Sequence, residues 1–455
     1  MSNDPGITPD NSLFRLYASR CMQWAMLHCP GRVLNYLDRQ RSLLIRLLPH
    51  RTKEYLKTIS LRAGPDISLR TQLDRFISLH VVNNPSGRVF LIHSGTTFTE
   101  SEGQRPMRLA RELARRGVPV VFAYWRWRPI APVQPSMFPN IFCMPIDEFQ
   151  KDYGSLLGDS RLSSLKRTFL MEFPQLSLVE IVNYANVHGW RTVYDSIDDW
   201  EAFREQNQAS WYDRDVETYL LQNADLITAT CENLREKMIA MGVRQTHLLP
   251  NAFEDWAISN HLTPPTIRKG RITIGYFGHL TGSWFDWPLL TAVAKRRPDW
   301  VFHVVGYGLD KRITSCENVL FLGKVAHGDL PAYAKNWDVA MIPFKPSKLS
   351  TAVDPIKIYE YISLGLPTVV TGMKHLASYP GVFCAGDDVE FEAAVERAAK
   401  EGLDAATVEA FLAGNRWSNR IDTLLKLLDE EGHYSVASLA LAKYIPPPVI
   451  DRAAA

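Results

Sequence analysis

Short runs of β-branched and aromatic residues alternate with amphipathic stretches along most of the chain after Arg88. Residues 89–92 predict a buried strand, residues 103–116 a helix closed by Gly117, and residues 118–123 the next strand. The same alternation continues as far as residue 249. Because parallel strands need a crossover between them, which is normally a helix, this order predicts a parallel sheet with helices on its faces. The pattern therefore indicates the α/β class.

A second series of the same kind occupies residues 272–370, after a polar, proline-bearing stretch at 252–270 that suits a linker. Two successive parallel sheets predict a ligand site at the carboxyl ends of their strands, in the cleft between two domains. The predicted segments are a basic helical extension at 1–75, a first Rossmann-like domain at 76–255, a second at 256–403, a helical segment at 404–445 with a helix around 408–428 that could cross back to the first domain, and a disordered tail at 446–455.

The overall composition excludes several classes of protein. The formal net charge is +2, so no excess of positive charge indicates nucleic-acid binding. The six cysteines are scattered without a CxxC pair, which argues against a disulfide framework and a structural zinc site and favours a cytoplasmic setting. The sequence contains no run of 18 apolar residues and begins with a polar stretch, so we expect neither a membrane-spanning helix nor a secretory signal.

Residues 1–75 differ in charge from the rest of the chain. They contain twelve Lys and Arg residues against six Asp and Glu residues, and they include the apolar run 43–48 with Arg46 inside it. A cationic amphipathic helix can lie on the anionic face of a membrane. A helical subdomain packed on the body of the protein explains the pattern equally well, because most amphipathic helices face a core.

The most informative motif lies between a predicted strand ending at Pro343 and a predicted helix at 354–364. Asp354 is a suitable N-cap and Pro355 suits the first helical position, so the helix would begin here with free N–H groups for an anion. Lys357 adds a positive charge in the first turn, and Glu360 lies on the same face, where it could accept hydrogen bonds from sugar hydroxyls. A phosphate next to a ribose would fit, but an ordinary capped helix with a Lys–Glu pair fits the spacing as well.

Several segments resemble a family of bacterial enzymes. In the second half they are 274–280, 284–287, 319–323, 342–344 and 354–367; in the first half they are 194–200, 223–234 and 249–252. Together they are similar to the group 1 (family 4-like) glycosyltransferases of GT-B fold that build exopolysaccharides and other cell-surface glycans. The resemblance covers about 88–420. It implies two Rossmann-like domains facing a cleft, with the nucleotide-sugar site in the second domain and the acceptor site in the first.

The resemblance also implies roles for particular residues. Glu360 matches the second glutamate of the family's E-x7-E element and would hold the nucleotide ribose, whereas the first glutamate is replaced by Ala352. Asp354 would take over part of the contact with the donor sugar. The family's Arg-x4-Lys pair is missing, so the diphosphate would be held by Lys357, the helix dipole and backbone N–H groups near Gly278. The predicted nucleotide-sugar-binding residues are Gly278, His279, Phe344, Asp354, Lys357 and Glu360.

Residues on the first domain are expected to handle the acceptor. An inverting transfer needs a general base, and we predict Asp198, just past a strand, with Asp195 and Asp199 near enough to raise its pKa. Alternatively, Asp198 or Asp199 merely caps the next helix, and a retaining reaction would need no such base. The predicted acceptor-binding residues are Gly95, Thr96 and Arg105, on the loop that follows the first strand.

Other motifs carry less weight. The sequence from Asp213 to Asp215 spells the DxD of metal-dependent glycosyltransferases, but within a helix its carboxylates would point to different faces, so no metal site is predicted. The segment 306–308 lacks the third glycine of a dinucleotide fingerprint. His93 and His279 each end a strand and could reach the cleft, although a lone histidine is more often structural.

The sequence as a whole predicts a metal-independent glycosyltransferase of hexosyltransferase type. It would move a sugar from a UDP- or GDP-sugar, with no cofactor, to a glycan or lipid-linked saccharide, in the cytoplasm or peripherally on the inner face of the plasma membrane. Two alternatives remain: a nucleotide-sugar epimerase of the same shape, and a non-catalytic protein that binds nucleotide sugars. The donor sugar, the acceptor, the stereochemical outcome and the oligomeric state are left open.

Overall fold

The computed structural model of the protein describes residues 67–96, 103–126, 136, 138–255, 270–308 and 316–430. Most of the predicted extension at 1–75, the predicted tail at 446–455 and part of the predicted linker lie outside the described residues. The two sheets and their helices, from residue 67 onwards, belong to one compact unit.

Within these residues the first sheet has seven parallel strands in the order β3-β2-β1-β4-β5-β6-β7. The strands are β1 Arg88–His93, β2 Val120–Tyr124, β3 Ile141–Pro145, β4 Lys166–Met171, β5 Arg191–Ser196, β6 Leu226–Ala229 and β7 His247–Leu248. The chain runs outward from β1 to β3 and then returns to β4 beside β1, where Ile92 pairs with Leu170. The switch point of this sheet therefore lies between β1 and β4.

Helices cover both faces of the first sheet, because its strands are apolar on both sides. They are α1 Ile67–Phe76, α2 Arg105–Arg115, α3 Ile146–Leu157, α4 Leu178–Val187, α5 Trp200–Glu205, α6 Arg214–Asn223 and α7 Glu232–Ala240. A π-helical turn, Ile77–Val81, continues α1, and a 3₁₀ turn, Ser160–Leu162, precedes β4. We call this sheet and its helices the first domain.

The second sheet, as far as it is described, has six parallel strands in the order β10-β9-β8-β11-β12-β13. They are β8 Thr273–His279, β9 Val301–Tyr307, β10 Val319–Gly323, β11 Val339–Pro343, β12 Thr368–Thr371 and β13 Val382–Ala385. Its helices are α8 Trp287–Arg296, α9 Leu330–Ala334, α10 Lys348–Thr351, α11 Ile356–Ser363 and α12 Asp388–Glu401, with 3₁₀ turns at His327–Asp329 and Lys374–Ser378. The switch point of this second domain lies between β8 and β11.

Two helices end the described chain, α13 Ala405–Gly414 and α14 Trp417–Glu430. The prediction of a single helix around 408–428 was wrong. Between them the backbone leaves the helix to pair with Phe253, whose N–H donates to the Asn415 carbonyl at 2.8 Å and whose carbonyl accepts from Trp417 at 3.2 Å. The apolar face of α14 then packs with α2 in the core of the first domain, through Trp417, Ile421, Leu424 and Leu428. The chain therefore returns from the second domain to the first.

Candidate functional site

The carboxyl ends of β8 and β9 approach each other closely beside the second switch point. A Cβ atom on Gly306 would lie 1.9 Å from the carbonyl oxygen of Gly278, so only glycine fits there. Gly278 itself has φ +145°, and a Cβ there would lie 2.8 Å from the Tyr276 hydroxyl and 3.2 Å from Lys357 Nζ. With no side chain on Gly278, backbone and ligand can come close to each other here.

Lys357 lies in the first turn of α11, directly beside Gly278. Its ammonium group lies 5.0 Å from the ring centre of Phe344 and 5.2 Å from that of Tyr276. No described residue gives Lys357 Nζ a hydrogen bond or an ion pair, and burial lowers its pKa to about 8. A half-buried cation stacked on rings and next to a helix N-terminus is suited to bind an anion.

Asp354 does not cap this helix, so the predicted N-cap was wrong. Pro355 occupies the N-cap position without a side-chain cap, and the Asp354 carboxylate turns to other partners. It accepts from the backbone N–H of Asn251 at 2.6 Å and from the Tyr359 hydroxyl at 3.0 Å. Burial raises the pKa of Asp354 to about 6, while these hydrogen bonds oppose the rise. The carboxylate links the two domains, and its contact with a donor sugar stays a prediction.

Glu360 lies one turn further along α11 and is almost fully buried. Its Oε1 lies 2.7 Å from His327 Nε2 and 3.4 Å from Arg108 Nη2 of the first domain. Ala352 is buried against Ala229, Cys231 and Leu234 of the first domain, so a carboxylate at that position would lose its solvation. Of the two carboxylates that the resemblance implies, the chain therefore presents only the second, and its hold on a ribose stays a prediction.

Asp198 follows β5 at the carboxyl edge of the first sheet. Its half-buried carboxylate has no hydrogen-bond partner among the described residues, and burial, reinforced by the charge of Asp199, raises its pKa to about 7. Asp199 is the N-cap of α5, since it accepts from the N–H of Ala202 at 3.0 Å, and it pairs with Lys237. Asp199 is therefore the residue that caps the helix, whereas the carboxyl group of Asp198 titrates near neutral pH.

The predicted acceptor residues lie near the first switch point. Arg105 is buried and forms a two-pronged pair with Asp195, at 2.8 and 3.0 Å, while its Nη1 bonds Asn251 Oδ1 at 3.1 Å. A Cβ on Gly95 would lie 2.5 Å from the ring of Phe173, and the Thr96 hydroxyl bonds Ser94 at 2.7 Å. These contacts explain how Gly95, Thr96 and Arg105 are held; a contact with the acceptor stays a prediction.

Three further residues near the site were missed by sequence reasoning. Glu172 follows β4 and is fully buried, and its pKa is raised well above the usual range by burial and by the nearby Asp195. Arg108 and His327 meet at Glu360, 3.3 Å apart. For Glu172 the only available signal was an acidic residue directly after an apolar run; for Arg108 and His327 no local signal exists, since both depend on how the domains meet.

The remaining motifs are accounted for locally. Asp213 is the N-cap of α6 and accepts from the N–H of Asp215 at 2.9 Å. His279, at the end of β8, has its pKa lowered by burial and by the charge of Lys357. His93 is fully buried and burial lowers its pKa to about 4, so it is neutral at physiological pH. Trp284 packs between Phe203 and Phe344, which joins rings of both domains.

The fold and this site define a two-domain α/β protein whose second sheet presents a cation and close backbone turns at its switch point. Residues 271–401 match the family model "Glycosyl transferases group 1", and this match lies within the second domain. A protein of Bacillus subtilis (strain 168) named as a teichuronic acid biosynthesis glycosyltransferase is 27% identical over 238 residues. The alignment covers 47% of this chain and 60% of that relative.

Solved structures give the same fold. HepE of Anabaena, in complex with UDP, has a TM-score of 0.54 at 16% identity, over 75% of this chain and 99% of that one. The sucrose-phosphate synthase of Thermosynechococcus elongatus has a TM-score of 0.53 at 15% identity, over 75% and 98%. The predicted resemblance to group 1 glycosyltransferases is confirmed for residues 271–401, and the predicted GT-B fold is confirmed by the two sheets and these structural neighbours. Among the described residues, no helix is long and apolar enough to cross a bilayer.

Proposed function

We propose that the protein transfers a hexose from a UDP- or GDP-sugar to a saccharide acceptor, without a metal ion. The observation that carries this proposal is Lys357. It is a half-buried ammonium group with no hydrogen bond or ion pair from a described residue, next to the close backbone turn at Gly278 and the amino end of α11. Burying a cation is costly, and the charge of Glu360 offsets this cost only in part, so a diphosphate would supply further opposite charge.

In the proposed reaction the bond between the sugar C1 and the diphosphate oxygen breaks, and negative charge develops on the leaving nucleoside diphosphate. Lys357, the dipole of α11 and backbone N–H groups near Gly278 would stabilise that charge. Glu360 would accept hydrogen bonds from the ribose hydroxyls and thereby fix the nucleotide. Positioning plus charge stabilisation would account for most of the rate enhancement at such a site.

On the first domain, Asp198 would remove the proton from the acceptor hydroxyl as its oxygen forms the new bond to C1. A carboxylate with a pKa of about 7 is a stronger base than one with an ordinary pKa, yet half of it is ionised at neutral pH. Attack from the face opposite the leaving group would invert the configuration at C1. The proposed outcome is thus an inverted glycoside, a nucleoside diphosphate and a protonated Asp198.

Binding and product analysis with a panel of nucleotide sugars test this function. At 100 times its dissociation constant the true donor should stabilise the full chain by about 2.7 kcal/mol, read as a rise in melting temperature. With the acceptor added, a glycoside and free UDP or GDP should form, also in the presence of EDTA. An epimerised nucleotide sugar formed from donor alone would indicate an epimerase, and binding without turnover would indicate a non-catalytic protein.

We further propose that the acceptor is a cell-surface glycan or a lipid-linked saccharide, reached from the inner face of the plasma membrane. The name of the Bacillus relative and the basic character of residues 1–75 support this choice. The full chain should co-sediment with vesicles that contain anionic phospholipid, and about 0.5 M salt should release it, because salt screens charge attraction. Deleting residues 1–66, which leaves α1 and its core contacts in place, should abolish co-sedimentation. Undiminished binding by that variant would contradict the proposed membrane contact.

A further inference from the structure

A cluster of charged side chains joins the first domain to Glu360. Arg108, on α2, places Nη2 3.4 Å from Glu360 Oε1 and 3.3 Å from His327 Nε2, and His327 Nε2 lies 2.7 Å from the same carboxylate oxygen. The side chain of Arg108 is 3% exposed and that of Glu360 is 8% exposed. Because charged groups this buried are stable only with well-placed partners, the cluster must keep a defined geometry.

The guanidinium group of Arg108 is also fixed from the first domain. Its Nε donates to the carbonyl oxygen of Gly103 at 3.1 Å, and its Nη1 pairs with Glu254. Gly103 has φ +64°, and a Cβ there would lie 2.4 Å from Arg108 Nη2, so a side chain at this position would be strained and would displace the guanidinium. The Gly103 carbonyl and Glu254 therefore orient Nη2 toward the carboxylate of the other domain.

We propose that Arg108 is a positioning residue for the nucleotide, which holds Glu360 from across the domain interface so that its second oxygen meets the ribose. This inference rests on the proposed function. Arg108 and His327 both contact Oε1, whereas Oε2 has no hydrogen bond with a described residue. A carboxylate accepts several hydrogen bonds, so one oxygen can stay on its protein partners while the other binds ribose hydroxyls. Nucleotide affinity is thereby linked to the contact between the domains.

Calorimetric titration of the full chain with UDP and with GDP tests this role. Arg108→Gln should weaken binding of the preferred nucleotide about 10- to 100-fold, as expected for the loss of a buried charge-assisted hydrogen bond. Arg108→Lys keeps the positive charge but not the several N–H donors of the guanidinium group, so its loss of nucleotide affinity should be smaller. Arg115→Gln is the matched control, because Arg115 also lies on α2 and pairs with Glu254 but has no described contact with Glu360. It should bind within about twofold of wild type.

A double-mutant cycle separates positioning from a general effect on the fold. If Arg108 acts through Glu360, the Arg108→Gln and Glu360→Gln losses should not add, and the double variant should bind as weakly as Glu360→Gln alone. Fully additive losses, or wild-type affinity in a folded Arg108→Gln or Arg108→Lys variant, would overturn the inference while leaving the proposed function intact. Failure of the wild type to bind any nucleotide would instead refute the proposed function and the inference with it.

Discussion

Replacement of Lys357 by alanine is expected to lower kcat about 10²- to 10³-fold, the size of effect seen when a preorganised group that stabilises developing charge is removed. The physical reason is the position of this ammonium group, which has no described ion-pair partner and lies within 5.2 Å of two ring centres at the amino end of α11. The charge on the diphosphate grows as the sugar leaves, so the loss should fall on kcat as well as on KM. Steady-state kinetics and titration with UDP or GDP would measure both.

The pH dependence gives a second readout of the same residue. In the free protein the pKa of Lys357 is lowered to about 8, so kcat/KM should fall above pH 8 as the ammonium group loses its proton. Lys357→Arg should move this decline to higher pH, because arginine stays charged. The control is Lys348→Ala on the preceding helix α10, where the lysine side chain is 75% exposed; this variant should keep turnover within about twofold. If the Lys357→Ala variant turns over like wild type, the proposal that the diphosphate binds at the amino end of α11 is wrong.

The sheet architecture was predictable wherever strands are short, apolar and separated by clear helices. The unit β3–α3–β4, at 141–171, was not assigned. β3 lies at the edge of the sheet, and the centre of this strand is Phe-Cys-Met, which lacks the β-branched pattern of β1. β4 begins with two charged residues, Lys166 and Arg167. Such strands are defined by their neighbours in the sheet rather than by their own residues.

Predictions from neighbouring residues also failed where a side chain or backbone group bonds a residue distant in sequence. Asp354 and Pro355 have the sequence of a helix start, but the Asp354 carboxylate bonds the N–H of Asn251, 103 positions away. In the same way, the two helices at the end of the described chain are separated by a backbone bridge to Phe253. Both deviations occur where one domain meets the other, and a capping rule that reads four neighbouring residues contains no information on such contacts.

The residues of the candidate site also fall into two groups, those that local sequence could predict and those that depend on distant contacts. Lys357 and Asp198 were predicted because each follows a strand or begins a helix, which sequence shows directly. The pairing of Arg105 with Asp195, 90 positions apart, and that of Arg108 with Glu360 both depend on the order of the strands and on domain contact. Sequence therefore indicated which groups could act, while the structure shows which of them are engaged.

Replacement of Asp198 by asparagine is expected to lower kcat by about 10²- to 10⁴-fold, the usual contribution of a general base. The amide has nearly the shape of the carboxylate but cannot take the acceptor proton. In the wild type, kcat/KM should rise tenfold per pH unit below pH 7, because only the ionised form of Asp198 is active and burial raises its pKa to about 7. It should reach its maximum between pH 7 and 8, before the decline that Lys357 causes. The residual activity of Asp198→Asn should lack this rise.

The control for this variant is Asp215→Asn, an exposed carboxylate of α6, which should behave as wild type. Glu172 is the alternative base, since it is buried directly after β4 near Asp195, and burial together with that charge raises its pKa well above the usual range. Full activity of Asp198→Asn together with loss of activity in Glu172→Gln would move the role to Glu172. Full activity in both would contradict base catalysis here, and NMR of the new glycoside should then show retained configuration. With Asp198 as the base of a direct displacement, we expect inverted anomeric configuration, because the acceptor oxygen would then approach C1 from the side opposite the diphosphate.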